Sequence, residues 1–173
     1  MILSSHIPFK GIRMIRKIIY SEVNDFIQCY IEVFQTLYET LPKDYVSKQI
    51  ADASTSKFHN YVEEQLDNDN NILLLSFQNE TVTGMLWGNI KEDTAWLGFM
   101  GVKGPFRGKG LGRYLLNWFI DESKVRGVNK ISLDTDPSII PAIRLYESEG
   151  FVREGTVINP HGMELILFSK NLE

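Results

Sequence analysis

The chain has one cysteine and no long apolar run, and each shortage excludes a class of protein. Cys29 has no second cysteine with which to form an internal disulfide, and no CxxC or Cys/His spacing typical of a zinc site is present. No stretch approaches the roughly 20 apolar residues of a membrane span, and the first residues lack the apolar core of a signal peptide. A reducing environment fits this composition, so we expect a cytoplasmic protein.

An excess of positive charge is also missing. The 18 Lys and Arg residues face 22 Asp and Glu residues, which gives a formal net charge of -4. Without a global positive field, binding to nucleic acid or to an anionic membrane is disfavoured. The length of 173 residues and the hydrophobic content of 43% suit one domain with one substantial core.

Regular periodicity begins only after the first dozen residues. Residues 1–12 show neither helical nor strand spacing, whereas Met14 opens a segment that is typical of the start of a domain. We interpret residues 1–12 as a poorly ordered extension, or as the product of an upstream start codon, and residues 13–173 as a single domain.

The first half of the domain is predicted to place helices before a meander of strands. Apolar residues recur at spacings of three and four from Glu22 to Leu41-Pro42, which indicates an amphipathic helix. A polar stretch near 47–57 is expected to link it to a weaker helix. The predicted elements are a strand at 15–20, helices at 22–41 and 58–66, and antiparallel strands at 72–77, 82–90 and 94–102.

The second half changes character at a loop crowded with glycines. Strand, glycine loop, helix and strand follow one another, which is the order of a parallel crossover unit. The predicted elements are the loop at 104–112, a helix at 111–125, a strand at 130–135, a short helix after Asp136-Pro137 that ends at Gly150, and strands at 151–157 and 164–168.

A glycine loop between a strand and a helix is a seat for phosphate, because free backbone N–H groups and the positive helix end meet there. The loop of nucleoside-triphosphate enzymes is not matched, since Gly104 to Lys109 is one residue too short and Gly110 follows the lysine. The dinucleotide fingerprint GxGxxG fails at Arg113 and should follow the first strand of a parallel sheet. A structural turn without a ligand is the remaining alternative.

The loop and its flanks resemble the GNAT N-acetyltransferases. RGKGLG at 107–112 is similar to the family's loop of Gln or Arg, two residues, Gly, any residue, and Gly or Ala. FMGVKGPFRGKGLGRYLL and AIRLYESEGFVREG resemble the family's two core segments, in the right order and at the right separation, so the match covers residues 95–168. The resemblance implies an α/β fold with a mixed, mostly antiparallel sheet of about seven strands, one splayed parallel pair and about four helices.

The resemblance also implies acetyl-CoA as the acyl donor, with no metal. In the family, loop amides hold the pyrophosphate, and the strand before the loop offers backbone groups to the pantothenate arm as an added strand would. Gly98 and Gly101 suit a bulge in that strand. The implied cofactor-binding residues are Met100, Val102, Arg107, Gly108, Lys109, Gly110, Leu111, Gly112 and Arg113.

Acetyl transfer by direct attack in a ternary complex needs a group that takes a proton from the amine and one that donates to the leaving thiolate. Tyr146 in LYESEGF matches the tyrosine that serves as general acid in many relatives; the alternative is a core tyrosine with its hydroxyl at the rim. The base is not identified by the sequence. The candidates, by rough proximity alone, are Glu92, Asp93, Asp134, Asp136 and His161.

Two departures from the family keep a non-catalytic acyl-CoA-binding sensor or partner module open as an alternative. The strand before the loop lacks a frequent glutamate, and Ile139 stands where many relatives have Asn. Cys29 lacks an adjacent basic group and is a weak candidate for an acylated nucleophile. The acceptor is expected to be a small-molecule or peptide amine bound near 38–66 and 159–163, by a monomer or homodimer.

Overall fold

In the computed structural model, residues 13–173 are described, so the predicted extension at 1–12 lies outside the described residues. Seven strands and five α-helices alternate within this range, with short 3₁₀ turns at Tyr20–Glu22 and Gly104–Phe106. The elements are β1 (Arg13–Lys17), α1 (Val23–Gln35), α2 (Lys43–Ala53), α3 (Ser56–Leu66), β2 (Asn71–Gln78), β3 (Thr81–Lys91), β4 (Thr94–Val102), α4 (Leu111–Val125), β5 (Lys130–Thr135), α5 (Ile140–Ser148), β6 (Val152–Ile158) and β7 (Glu164–Asn171).

The strands form one sheet in the order β1-β2-β3-β4-β5-β7-β6, and only β4 and β5 run parallel. This parallel pairing ends early: Leu97 opposite Leu133 is its last partnered position, although β4 continues to Val102. The mostly antiparallel sheet with one splayed parallel pair is therefore confirmed. The splay leaves a gap in the middle of the sheet.

The predicted bulge in β4 lies at Gly98. On β3, Trp87 pairs with Phe99 while the next residue, Gly88, pairs with Leu97, so Gly98 has no partner across the ladder. Gly101 has a different role, because a Cβ there would lie 2.5 Å from Cγ1 of Val33 in α1. The bulge bends the strand, and the missing side chain at Gly101 lets α1 pack directly on it.

Alternation along the strands divides the core between the two faces of the sheet. Ile72 and Leu74 of β2 belong to a cluster with α4 and α5, whereas Leu73 and Leu75 belong to a cluster with α1, α2 and α3. All four of these side chains are almost fully buried, as expected for a strand covered on both sides. The sheet is thus a central layer, and any opening between β4 and β5 connects the two helical layers.

The sequence-based prediction was wrong about the segment between α1 and α3. The helix α1 ends at Gln35 rather than near Leu41, and the polar stretch predicted at 47–57 mostly belongs to the helix α2, which raises the count from about four helices to five. The helix α2 fully buries only Val46 and Ala53, so its apolar stripe is too sparse to stand out. Within residues 13–173, every helix is too short or too polar to cross a membrane.

Candidate active site

A cavity of about 790 Å³ occupies the gap where β4 and β5 part. It passes through the sheet, since its lining includes Val33 and Tyr45 from the α1–α2 side and Leu145 and Tyr146 from α5. The glycine loop at 107–112 closes one end. We call this space the main cavity. Its walls offer backbone groups, arginines, carboxylates and two tyrosines.

The glycine loop leads into the first turn of α4 with its backbone exposed to the main cavity. Gly108 and Gly110 have φ angles of +72° and +80°, and a Cβ at either position would meet nothing within 4 Å. Gly110 is the N-cap of α4 and has no side-chain cap, so the first N–H groups of the helix are left for a ligand. A helix N-terminus of this kind favours an anion.

The three cations of the loop are already engaged by other groups. The Arg107 guanidinium donates to the Val102 carbonyl at 2.8 Å and to the Thr36 hydroxyl, while the Arg107 amide donates to the Gly104 carbonyl. Arg113 forms an ion pair with Glu149, and the Lys109 ammonium, outside the main cavity, donates to the Pro105 carbonyl at 3.3 Å. The Arg107 amide is therefore used within the preceding turn, and the loop amides open to a ligand begin after it.

The end of β4 presents backbone groups to the gap. The Lys103 amide donates to the Thr83 carbonyl of β3 at 2.9 Å, and hydrogen-bonded positions alternate along an antiparallel ladder. The N–H and C=O groups of Met100 and Val102 therefore point away from β3. The strand β5 pairs with β4 only up to Leu97, so it leaves these groups uncovered, except that the Val102 carbonyl already accepts the hydrogen bond from Arg107. The groups of Met100 and the Val102 N–H remain for an added strand.

Tyr146 lies on α5 with its ring buried and its hydroxyl at the main cavity. The side chain is 6% exposed and packs against Phe151 and Phe168. Among the described residues, the Tyr146 hydroxyl has no hydrogen-bond partner. Every fully buried polar side-chain atom in that part of the chain does have a partner, so the Tyr146 oxygen must be accessible at the cavity surface. Burial raises the pKa of Tyr146, and the Asp134 carboxylate raises it further. The phenol therefore stays protonated.

Asp134 approaches the main cavity from the opposite side of the sheet. Its neighbour Leu133 packs in the α4–α5 cluster, so alternation turns Asp134 toward α1 and α2. Burial raises the pKa of the Asp134 carboxyl. Tyr45 lines the same cavity, and burial and the charges of Asp134 and Asp136 raise the pKa of Tyr45. The gap thus has Tyr146 on the α5 side of the sheet and Asp134 on the α1–α2 side.

The structure separates the remaining candidates for the base. Asp134 and Asp136 line the main cavity, whereas Glu92 and Asp93 lie in the β3–β4 turn at the other end of β4. His161 lies in the β6–β7 loop, where its ring meets Tyr45 at a centroid distance of 5.1 Å. Of the two that line the main cavity, Asp134 is the one whose charge raises the pKa of Tyr146.

Cys29 and Ile139, the two other positions that the sequence singled out, supply no reactive or polar group to the site. Cys29 is fully buried in α1, and burial raises the pKa of its thiol to about 12, so it is not an accessible nucleophile. Ile139 lines the main cavity, where it offers no polar group to a ligand. Within residues 13–173, no three His, Cys, Asp or Glu side chains are grouped to hold a metal ion.

Sequence reasoning missed Tyr45, which lines the main cavity from α2. Its position lies in a segment with only a sparse apolar stripe, and nothing in the neighbouring residues distinguishes it from a surface tyrosine. Only the packing of α2 against α1 and the β6–β7 loop brings it to the gap.

The family model described as "Acetyltransferase (GNAT) family" matches residues 31–151. Among solved structures, the PaiA N-acetyltransferase from Thermoplasma acidophilum, in complex with coenzyme A, is similar with a TM-score of 0.80 and 21% identity. That similarity covers 92% of this chain and 99% of the other, which shows the fold.

Two curated relatives match over shorter stretches. The [ribosomal protein bS18]-alanine N-acetyltransferase of Salmonella typhimurium is 45% identical over 65 residues, which are 38% of this chain and 43% of that protein. The spore coat polysaccharide biosynthesis protein SpsD of Bacillus subtilis is 29% identical over 103 residues, 60% of this chain and 36% of that protein. The chain thus spans less than half the length of these relatives.

Proposed function

Because the chain belongs to the acetyltransferase (GNAT) family, we propose that it transfers an acetyl group from acetyl-CoA to a primary amine by direct attack in a ternary complex. The observation that carries this proposal is the main cavity itself. It joins an anion seat at the glycine loop, uncovered backbone groups on β4, and Asp134 and Tyr146 on opposite faces of one gap.

The residues of the chain fit coenzyme A. A pyrophosphate needs close approach to backbone N–H groups, and the empty space beside Gly108 and Gly110 is what a Cβ would fill. The outward-facing groups of Met100 and Val102 suit an extended chain of amides such as the pantothenate arm. Because Arg107 and Arg113 are engaged elsewhere, the amides carry most of the phosphate binding, with the arginines adding local positive charge.

Acetyl-CoA supplies a thioester whose C–S bond breaks as the amine forms a C–N bond, while one proton leaves the nitrogen and the thiolate gains one. Tyr146 is proposed as the general acid on the α5 side. Its raised pKa keeps the hydroxyl protonated until negative charge develops next to it. Since an ordinary thiol has a pKa of about 8.5, below that of this phenol, Tyr146 first donates a hydrogen bond to the departing sulfur. The proton that the thiolate finally gains passes through the phenol, which is reprotonated from solvent.

Asp134 is proposed to receive the proton from the amine on the α1–α2 side. Free amines have a pKa of about 10.4, so the acceptor arrives as an ammonium ion and must be neutralised before attack. Asp134 and Asp136 place negative charge where such a cation would enter, and the raised pKa of Asp134 makes it a better base than an exposed carboxylate. The opposite placement of Asp134 and Tyr146 keeps the two proton movements apart.

The proposal is tested by mixing the full chain, treated with chelator, with acetyl-CoA and a panel of primary amines while thiol release is followed. We expect amine-dependent thiol release, together with calorimetric binding of coenzyme A that needs no metal. Coenzyme A binding without thiol release for any amine would instead favour the non-catalytic sensor or partner module. That alternative is motivated by Ile139 and by the lack of a glutamate on β4.

A further inference from the structure

The helices α2 and α3 carry the same short pattern of residues. The sequence YVSKQ occupies positions 45–49 in α2, and YVEEQ occupies positions 61–65 in α3. In both helices the valine, Val46 or Val62, is fully buried. Tyrosine and glutamine lie four residues apart in each pattern, so they share one helix face. The two helices therefore present matching tyrosine and glutamine pairs.

These two faces meet in a second pocket of about 350 Å³, which we call the side pocket. It adjoins the main cavity, because Tyr45, Gly98 and Phe99 line both. Its volume is at the small end of ordinary ligand sites. Since Tyr45 lines the main cavity together with Asp134, a molecule in the side pocket can extend past Tyr45 into the space that Asp134 borders.

The two glutamines are held so that their NH₂ groups are left for a ligand. The Tyr30 hydroxyl donates to Oε1 of Gln49 at 3.0 Å, and Nδ2 of Asn71 donates to Oε1 of Gln65 at 2.9 Å. Among the described residues, nothing accepts a hydrogen bond from Nε2 of either glutamine. Two oriented amide donors in one small pocket suit a ligand with several oxygen atoms.

Aromatic rings supply the other walls of the side pocket. Tyr61 and Trp96 remain 48% and 36% exposed, and the Tyr61 ring lies 5.8 Å from that of Trp87. In the described part of the chain, every residue that lines this pocket is uncharged. An aliphatic polyamine would find no carboxylate along its length here, whereas a neutral ring would find flat apolar faces beside hydrogen-bonding groups.

We propose that the side pocket binds the neutral, polyhydroxylated ring of the acceptor, so that the acceptor is an amino sugar. The assignment rests on the proposed function. The C–H face of the sugar ring packs against Tyr61 and Trp96, its hydroxyl oxygens accept hydrogen bonds from Gln49 and Gln65, and its amine extends past Tyr45 toward Asp134. Hydroxyl recognition is therefore the property that distinguishes substrates.

The first experiment compares glucosamine with cyclohexylamine, which has a six-membered ring and an amine but no hydroxyl groups. With acetyl-CoA saturating, we expect kcat/KM for glucosamine to exceed that for cyclohexylamine by at least about tenfold, because a site built for hydroxyls disfavours an analogue that lacks them. Spermidine and alanyl-glycine represent the polyamine and peptide alternatives. Equal use of cyclohexylamine, or preference for either alternative, overturns the assignment.

A single substitution tests the glutamine donors. Gln65→Leu removes the amide, while Asn71 keeps its other hydrogen bond, to the Gln65 carbonyl, at 3.2 Å. We expect the ratio of glucosamine to cyclohexylamine kcat/KM to fall about fivefold to tenfold, mainly through KM for glucosamine. Gln35→Leu, at an exposed position at the end of α1, is the matched control and should leave the ratio unchanged. An unchanged ratio in Gln65→Leu contradicts the proposal.

A binding measurement separates this inference from the activity. Trp87 and Trp96 line the side pocket, so glucosamine should change tryptophan fluorescence of the coenzyme A-saturated protein in a saturable way, and more weakly in Gln65→Leu. Turnover of another amine without this signal would sustain the acetyltransferase and defeat the amino-sugar assignment. A saturable signal without turnover of any amine would sustain the pocket as a sugar site and defeat the proposed enzyme.

Discussion

The two ends of the main cavity are built from different parts of the polypeptide. The glycine-loop end consists of backbone: the amides after Arg107, the N-terminus of α4, and the groups of Met100 and Val102. The opposite end consists of side chains, chiefly Asp134, Asp136 and Tyr45. A backbone site requires that side chains be small or absent, whereas a side-chain site requires particular groups at particular places. The same cavity is therefore sensitive to different substitutions at its two ends.

Tyr146→Phe should give the largest effect, confined to the chemistry. The substitution keeps the ring packed against Phe151 and Phe168 and removes only the oxygen. We expect turnover to fall by about 10² to 10⁴, the usual contribution of a general acid, while coenzyme A affinity holds. Steady-state kinetics and calorimetry on the same protein measure both. Normal turnover with the preferred amine would show that Tyr146 has only a structural role in the core. Loss of coenzyme A affinity with unchanged turnover would show that it only binds the cofactor.

Gly110→Ala should show the reverse pattern, with weaker coenzyme A binding. Its Cβ would enter the space beside the loop, and we expect the Kd of coenzyme A to rise about tenfold or more. An alanine at a φ of +80° also destabilises the fold by about 1 kcal/mol.

Gly127→Ala is a matched control for that strain. Gly127 follows α4 as Gly110 precedes it, with a φ of +76° and nothing within 4 Å of an added Cβ. It should lose similar stability and bind coenzyme A normally by calorimetry. If both variants bind coenzyme A equally well, the phosphate seat lies elsewhere.

Asp134→Asn should give the smallest effect of these substitutions. At neutral pH it should leave the melting temperature unchanged or raise it slightly, whereas most substitutions lower it. Burial raises the pKa of Asp134 in the folded state, so its favourable contribution is present below the unfolded pKa of about 3.9 and is lost as pH rises through the folded pKa. At neutral pH we expect the variant to melt at the same temperature as the wild type or slightly above it, with the difference vanishing in acid.

Melting temperatures measured by circular dichroism across this pH range provide the test. Asp121→Asn, on the exposed side of α4, is the control for loss of a surface carboxylate. A wild type that is the more stable protein at neutral pH would show that Asp134 is held by favourable charge interactions, unlike the half-buried base proposed for this end of the cavity.

How much was predictable differs between the two halves of the chain. The limits of β5 and α4 were predicted from alternation and from the stripe that ends at Gly127, and the structure confirms them. The turn at Asn79 and Glu80 is also confirmed, with φ angles of +47° and +65°. The helix α2 was missed, since only Val46 and Ala53 are fully buried and most of its surface faces solvent or the cavities. Weakly amphipathic helices depend on tertiary packing more than on their own pattern.

The sequence by itself determined the glycine loop, the parallel crossover and a bulge in β4 at Gly98 or Gly101, because these features depend on backbone conformations that few residue types adopt. The structure assigned the bulge to Gly98. Only the tertiary structure placed Asp134 and Asp136, of the five candidate bases, at the main cavity and brought Tyr45 to the same cavity. The Asp134 and Tyr45 side chains come from β5 and α2, nearly 90 residues apart, and no local spacing records which face of a sheet a distant helix will cover. A site made of backbone groups can be predicted from one short segment of sequence, whereas a site made of side chains depends on how distant segments pack together.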